Sequence, residues 1–129
     1  MNLLAIDDSS DTLEAISDYC NIEGVKCKVA SEGLQGLLEI QKQEYDLILL
    51  DMAIPEYSGF DILDQLKKQG VREKNLVVIT AAKLDMDNFS DYKEVGIKEV
   101  LHKPISLDQL DELIDKYSKA RKGAHISSV

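Results

Sequence analysis

Acidic side chains follow two apolar stretches of the sequence, at the point where each stretch ends. Asp7 and Asp8 come directly after residues 3–6, and Asp51 comes directly after residues 47–50. Apolar runs that do not alternate are typical of strands covered on both faces, as in a parallel sheet. In such sheets the ligand crevice lies beyond the carboxyl ends of the strands. We therefore expect the three carboxylates to meet at one edge of a sheet.

A hydroxyl and an ammonium group follow two further strand-like segments. Residues 76–79 end at Thr80, and residues 99–102 are followed by Lys103. Crowded carboxylates repel one another, and Mg²⁺ is the cation that suits oxygen ligands and retained water. A lysine and a hydroxyl opposite the metal can bind phosphoryl oxygens. The pattern indicates phosphoryl transfer onto Asp51, which would form an acyl phosphate.

Five strand-like segments alternate with five helical segments, which predicts a parallel sheet with helices on both faces, a three-layer α/β sandwich. The last helix has a capping box formed by Ser106 and Gln109. Residues 85–95 contain few apolar side chains, so we expect a marginal helix there. For the second helix, Ser31 is the expected cap. Its expected apolar stripe consists of Leu34, Leu37 and Leu38.

The length and composition predict one domain without broad nucleic-acid or membrane contact. The chain has 129 residues, of which 44% are hydrophobic, and a formal net charge of −9. Nucleic acids and anionic membrane surfaces require a positive face, which this charge does not favour. The longest apolar runs are too short to cross a bilayer, and the N-terminus has no secretion signal. We therefore expect a cytoplasmic protein.

Neither the cysteines nor the histidines form a ligand motif in the sequence. Cys20 and Cys27 do not form a Cys-x-x-Cys pair, and we expect both to be reduced and mostly buried. His102 and His125 have no second histidine or cysteine near them in sequence, so we expect exposed side chains that are not ligands.

Several motifs together resemble the receiver domain of two-component response regulators, in particular the stand-alone, chemotaxis-regulator-like members. The resemblance covers residues 2–119 and implies a flavodoxin-like fold with strand order 2-1-3-4-5. It implies a receiver domain over residues 1–122, which leaves residues 123–129 as a disordered tail. The motifs are Asp7-Asp8, Leu49-Leu50-Asp51-Met52-Ala53-Ile54-Pro55, Ile79-Thr80-Ala81-Ala82 and Lys103-Pro104.

The resemblance also assigns roles to the strand-end residues. It implies that Asp51 is the phospho-acceptor, that Thr80 binds the phosphoryl group, and that Lys103 pairs with that group electrostatically. The Lys103–Pro104 peptide bond is expected to be cis. The implied ligands of Mg²⁺ are Asp7, Asp8, Asp51 and the backbone carbonyl of Ala53.

A receiver of this kind is not a classical enzyme, although it catalyses its own phosphorylation and dephosphorylation. The implied partners are a sensor histidine kinase or a histidine phosphotransfer protein upstream, and an unknown protein target downstream. A monomer or a weak dimer is expected, but the sequence leaves the oligomeric state, the kinase, the target and the phosphoryl lifetime open. No output domain follows Lys122, so we expect output through a partner or a relay.

Two positions depart from the family pattern. Ala53 stands where a polar residue is common, which does not affect a carbonyl ligand. Val100 stands where an aromatic residue usually moves together with Thr80, so the usual coupling between these two positions is in doubt. We expect residues 83–95, which are poorly apolar and so poorly anchored, to carry the change instead.

Three alternative functions remain. A receiver-like binding module that is never phosphorylated is the hardest to exclude. A haloacid-dehalogenase-like phosphatase also uses an aspartate nucleophile, but it needs a second aspartate at the position of Ala53. A flavodoxin would have to bind an FMN phosphate where Asp7 and Asp8 repel it.

Overall fold

The computed structural model describes residues 1–118, and five parallel strands form one sheet in the order β2-β1-β3-β4-β5. This order and the helices on both faces confirm the predicted three-layer sandwich. The expected domain boundary at residue 122 and the tail 123–129 lie outside the described residues. The strands are β1 (Asn2–Ile6), β2 (Lys26–Ala30), β3 (Leu47–Asp51), β4 (Leu76–Thr80) and β5 (Ile97–His102).

Three α-helices and one shorter helix connect the strands, and a fourth α-helix follows β5. The capping box of Ser106 and Gln109 is confirmed, but Ser31 is not a cap, because Glu32 holds that position without a side-chain bond. No helix within residues 1–118 is long and apolar enough to cross a membrane. The helices are α1 (Ser10–Ile22), α2 (Gly33–Lys42), α3 (Gly59–Lys68), a 3-10 helix called the short helix here (Met86–Tyr92), and α4 (Leu107–Tyr117).

The core lies on both faces of the sheet because side chains alternate along each strand. Leu50 points toward α2, α3 and the short helix, whereas Leu49 points toward α1 and α4. All five residues of β3 and all five of β4 are buried, as expected of central parallel strands. The unbroken apolar runs at these two strands are therefore explained by helices on both sides.

Helix α2 buries a different face from the predicted one. Leu34 and Leu38 are 55% and 62% exposed, so two of the three residues of the predicted stripe are wrong. Two glycines, Gly33 and Gly36, lie on the buried face instead. A Cβ atom on Gly36 would lie 2.7 Å from side-chain atoms of Ile6, so glycine lets the helix approach β1 closely. The periodicity of large residues alone cannot show such a contact.

Residues 85–95 match one part of the prediction and contradict another. The segment forms only a 3-10 helix, interrupted at Phe89 (φ −110, ψ 17), which confirms that regular helix is marginal there. The expectation of poor anchoring is wrong, because Phe89 is 2% exposed and stacks on Phe60. A few large aromatic side chains anchor this segment although its apolar content is low.

The two cysteines are free thiols in the structure. Cys20, near the C-terminal end of α1, is buried in the core, and Cys27 on β2 is partly exposed. The prediction that both are reduced is confirmed, and the prediction that they are mostly buried holds fully for Cys20.

Candidate functional site

The candidate site lies at the carboxyl ends of four strands. Asp51 is the last residue of β3 and Thr80 is the last residue of β4. Asp7 directly follows β1, and Lys103 directly follows β5. Because β1, β3, β4 and β5 are consecutive neighbours in the sheet, their ends adjoin one another. The structure thus places these predicted residues along one edge of the sheet.

Three carboxylates form a compact acidic cluster at this edge. One oxygen from each of Asp7, Asp8 and Asp51 lies within 4.8 Å of the other two. Asp7 and Asp51 are only 4% and 3% exposed, whereas Asp8 is exposed. The cluster therefore has two carboxylates in the protein interior and one that reaches solvent.

Lys103 joins the two buried carboxylates. Its Nζ atom lies 2.8 Å from Oδ2 of Asp7 and 3.2 Å from Oδ2 of Asp51. Burial alone would lower the pKa of Lys103, but hydrogen bonds and charges from Asp7 and then Asp51 outweigh it, so the pKa is raised. The lysine is therefore held in its charged form and acts as the internal counter-charge of the cluster.

Asp51 is held at both of its carboxylate oxygens. Oδ1 accepts a hydrogen bond from the backbone N–H of Ala53 at 3.1 Å, and Oδ2 contacts Lys103. Burial raises the pKa of Asp51, and the charge of Asp7 raises it further, while Ala53 and Lys103 lower it less than that. The ionised form needed for nucleophilic attack is thus more costly here than in water.

The variant Asp51→Asn is expected to be more stable than the wild type at neutral pH without divalent cations, by about 0.5–2 kcal/mol. A carboxyl whose pKa is raised by folding contributes full stability below its unfolded pKa and loses it as the pH rises through the folded pKa. Asparagine does not ionise, so the difference should vanish in acid.

Urea unfolding in EDTA at neutral pH and below the ordinary pKa of aspartate measures this difference. Asp18→Asn, at an exposed position on α1, is the matched control and should not gain stability. An equal gain for Asp51→Asn at both pH values would contradict the electrostatic explanation.

The donor set fits a hard divalent cation. Three carboxylates and one ammonium group leave an uncompensated charge of −3 + 1 = −2 within the cluster and its lysine. All three cluster ligands are carboxylate oxygens, which suit Mg²⁺ or Ca²⁺ better than Zn²⁺. The backbone N–H of Ala53 donates a hydrogen bond to Asp51. The use of the Ala53 carbonyl as a metal ligand stays a prediction.

Thr80 is buried at the end of β4, with 1% of its surface exposed. Its Oγ1 accepts a hydrogen bond from the N–H of Ala82 at 3.0 Å, so the hydroxyl is tied to the loop that follows the strand. Its carbonyl oxygen accepts a hydrogen bond from the N–H of Lys103 at 2.8 Å. The Lys103–Pro104 bond is cis, as expected.

His102 is a residue that the sequence interpretation missed. Its Nε2 atom lies 3.0 Å from the carbonyl oxygen of Leu84, so the end of β5 is tied to the loop after β4. A carbonyl oxygen only accepts, so Nε2 carries the proton in this contact. The prediction that the His102 side chain is exposed is confirmed. No local sequence signal could have shown its hydrogen bond, because the partner is a backbone atom of another loop.

The chain also matches known proteins along most of its length. A family model described as "Response regulator receiver domain" matches residues 3–115. Sporulation initiation phosphotransferase F of Bacillus subtilis is 33% identical over 116 residues, which are 89% of this chain and 91% of that protein. The transcriptional regulatory protein CiaR of Streptococcus pneumoniae is 33% identical over 111 residues, which are 84% of this chain but 46% of CiaR.

Among solved structures, the receiver domain of the Francisella response regulator 1452 superposes with a TM-score of 0.76 at 25% identity. The match covers 92% of this chain and 98% of that one. The sheet order, the acidic cluster at the strand ends and these sequence matches all point to one family. The chain belongs to the response regulator receiver domain family.

Proposed function

We propose that this protein is a single-domain response regulator that accepts a phosphoryl group on Asp51 from a sensor histidine kinase or a histidine phosphotransfer protein. Members of its family are phospho-acceptor signalling domains of two-component systems, not classical enzymes. The observation that carries the proposal is the position of Asp51, which is 3% exposed, bonded to Lys103 and grouped with Asp7 and Asp8.

The proposed reaction is an in-line transfer. A carboxylate oxygen of Asp51 supplies the electron pair for a new O–P bond while the N–P bond of the donor phosphohistidine breaks. The electron pair of that bond stays on the imidazole nitrogen, so the donor leaves as free histidine. The Lys103 ammonium group, 3.2 Å from Asp51 Oδ2, is placed to attract the phosphoryl oxygens. The Thr80 hydroxyl can donate a hydrogen bond to them.

Asp7, Asp8, Asp51 and the backbone carbonyl of Ala53 are the proposed ligands of Mg²⁺. A bound Mg²⁺ would neutralise charge on the phosphoryl oxygens and so lower the electrostatic barrier to attack by a carboxylate. Lys103 already compensates part of the cluster charge, and its raised pKa keeps it protonated throughout.

The similarity to sporulation initiation phosphotransferase F supports a role as a relay component, because the match extends over 91% of that protein. We propose that this chain acts as a single-domain protein and is a cytoplasmic monomer or weak dimer. Its output would pass to a partner protein or onward as a phosphoryl group. The chain spans 46% of CiaR, so the transcriptional role in that name is not carried over.

Incubation with acetyl phosphate and Mg²⁺ is expected to add the mass of one phosphoryl group to the intact protein. Intact-mass spectrometry should show the gain in the wild type and in Asp18→Asn, but not in Asp51→Asn or in EDTA. Labelling of Asp51→Asn at the wild-type level would refute the acceptor assignment.

The same experiment separates the alternatives. A binding module that is never phosphorylated gains no mass and consumes no acetyl phosphate. A phosphatase with an aspartate nucleophile consumes acetyl phosphate over many turnovers and retains little mass at steady state. A receiver retains one phosphoryl group and then passes it to a partner or loses it to water.

A further inference from the structure

An aromatic cluster joins the short helix to α3. The rings of Phe60 on α3 and Phe89 on the short helix stack with their centroids 5.5 Å apart and their planes 10° apart. The ring of Tyr92, at the end of the short helix, lies 6.4 Å from Phe60 at a tilt of 44°. Both distances are within the range at which aromatic pairs attract one another.

Polar contacts extend this cluster along α3. The Tyr92 hydroxyl donates a hydrogen bond to a carboxylate oxygen of Asp64, and Nζ of Lys67 lies 5.8 Å from the centre of the Tyr92 ring. Burial, and then the bond to Asp64, raises the pKa of Tyr92 to about 12, so the hydroxyl keeps its proton at physiological pH. We call the set Phe60, Asp64, Lys67, Phe89 and Tyr92 the clamp.

The three α3 members of the clamp lie on one side of that helix. Positions 60, 64 and 67 are separated by four and three residues, the spacing that places side chains in a row along a helix. One row on α3 therefore contacts both aromatic residues of the short helix. The clamp therefore has two sides: Phe60, Asp64 and Lys67 belong to α3, and Phe89 and Tyr92 belong to the short helix.

Each side of the clamp is connected to a different part of the candidate site. Helix α3 begins at Gly59, whose N–H bonds to the carbonyl of Met52, the residue after Asp51. The short helix follows the loop after Thr80, where the threonine hydroxyl accepts the N–H of Ala82. These connections provide a path by which a movement of Thr80 relative to Asp51 can displace one side of the clamp relative to the other.

The clamp combines one deeply buried ring with partners nearer the surface. Phe89 is 2% exposed, whereas Phe60 and Tyr92 are only partly buried and the Tyr92–Asp64 bond is exposed to solvent. The outer contacts can separate without opening the sheet, since weakly packed elements rearrange at the lowest cost. The buried ring of Phe89 would stay in place while the outer contacts separate.

We propose that the clamp holds the short helix in its resting position and that phosphorylation of Asp51 opens the outer contacts at Tyr92. This inference rests on the proposed function. In this proposal the outer contacts at Tyr92 are made only in the resting state, so they bias the equilibrium toward that state. A variant that loses one of them moves the unphosphorylated protein part of the way toward the phosphorylated conformation.

The test compares Tyr92→Phe with Tyr45→Phe, since each variant removes one hydroxyl that donates to a carboxylate. The Tyr45 hydroxyl bonds to Glu39 on α2 at 2.8 Å, outside the clamp. Without phosphorylation, amide exchange by NMR in residues 86–92 is expected to be about three- to tenfold faster in Tyr92→Phe than in the wild type. Tyr45→Phe should match the wild type in that segment.

Asp64→Ala removes the acceptor instead of the donor and should reproduce the exchange pattern of Tyr92→Phe. Adding beryllofluoride and Mg²⁺, a phosphoryl analogue, to the wild type should raise exchange in the same residues. Unchanged exchange in both clamp variants, or greater protection of residues 86–92 with the analogue, would overturn the inference.

Intact-mass labelling with acetyl phosphate in the same samples distinguishes a failure of the clamp proposal from a failure of the proposed function. A wild type that takes up the label while the exchange of residues 86–92 stays constant overturns the clamp and leaves the proposed function standing. A wild type that takes up no label overturns the proposed function, and the clamp proposal fails with it.

Discussion

Replacing Lys103 with methionine is expected to destabilise the metal-free protein by about 3 kcal/mol and to enlarge the stabilisation that Mg²⁺ provides. The Lys103 ammonium group contacts Asp7 and Asp51, whose side chains are 6% and 3% exposed. Removing it leaves two buried carboxylates without their nearest counter-charge. The expected cost is at the lower end for a broken buried pair, because the lysine side chain itself is 26% exposed.

The larger response to Mg²⁺ follows from the same geometry. In the wild type, the lysine already occupies an oxygen of each buried carboxylate, so a cation must share or displace those contacts. In Lys103→Met no other lysine or arginine of residues 1–118 forms an ion pair with Asp7 or Asp51, so Mg²⁺ becomes the main counter-charge of the cluster. Stabilisation by a ligand that binds only the folded state grows with its affinity.

Thermal unfolding in EDTA and at saturating Mg²⁺ measures both effects. Lys98→Met is the matched control, because Lys98 lies on β5, the strand that directly precedes Lys103, and is exposed to solvent. The control should resemble the wild type in both conditions. An identical Mg²⁺-induced rise in melting temperature in Lys103→Met and the wild type would show that the lysine is not part of the charge balance.

Gly33→Ala is expected to destabilise the fold by at least about 2 kcal/mol. A Cβ atom on Gly33 would lie 1.8 Å from the carbonyl oxygen of Tyr57 and 2.8 Å from its carbonyl carbon. These are backbone atoms of the loop that leads from Asp51 to α3, so no side-chain rotation can relieve the contact. The better helix propensity of alanine, about 1 kcal/mol, is too small to offset it.

Urea denaturation of Gly33→Ala measures this loss, with Leu34→Ala as the control on the same helix. Leu34 is 55% exposed, so truncating it should change the stability by less than about 0.5 kcal/mol. If Gly33→Ala were as stable as the control, α2 would not approach the loop as closely as described. Reduced Mg²⁺ affinity in Gly33→Ala would further show that α2 supports the loop after Asp51.

Much of the fold and of the candidate site could be predicted because both depend on local patterns. An apolar run that ends in a polar residue specifies a central strand and the edge at which its last side chain lies. Asp51 and Thr80 could be placed in this way before any contact was known. The parallel sheet then required their strand ends to adjoin, whatever lies between them in sequence.

The remaining features depend on contacts between segments that are distant in sequence. The buried face of α2 is set by two glycines whose neighbours are Ile6 and Tyr57, so the size of Leu34 misled the prediction. The bond between His102 and the Leu84 carbonyl requires knowledge of the path of a loop. The aromatic stacking of the short helix on α3 likewise cannot be derived from the low apolar content of residues 85–95.

The bond between Lys103 and Asp7 also bears on synthesis of the protein on the ribosome. Translation delivers β1, β3 and β4 before β5, so a growing chain has its acidic residues long before the lysine that balances them. A fragment that includes Asp51 but ends before Lys103 has three carboxylates and lacks the ammonium group that balances them at this edge. Such incomplete molecules lack the counter-charge of the two buried carboxylates, so they cannot assemble the candidate site described here.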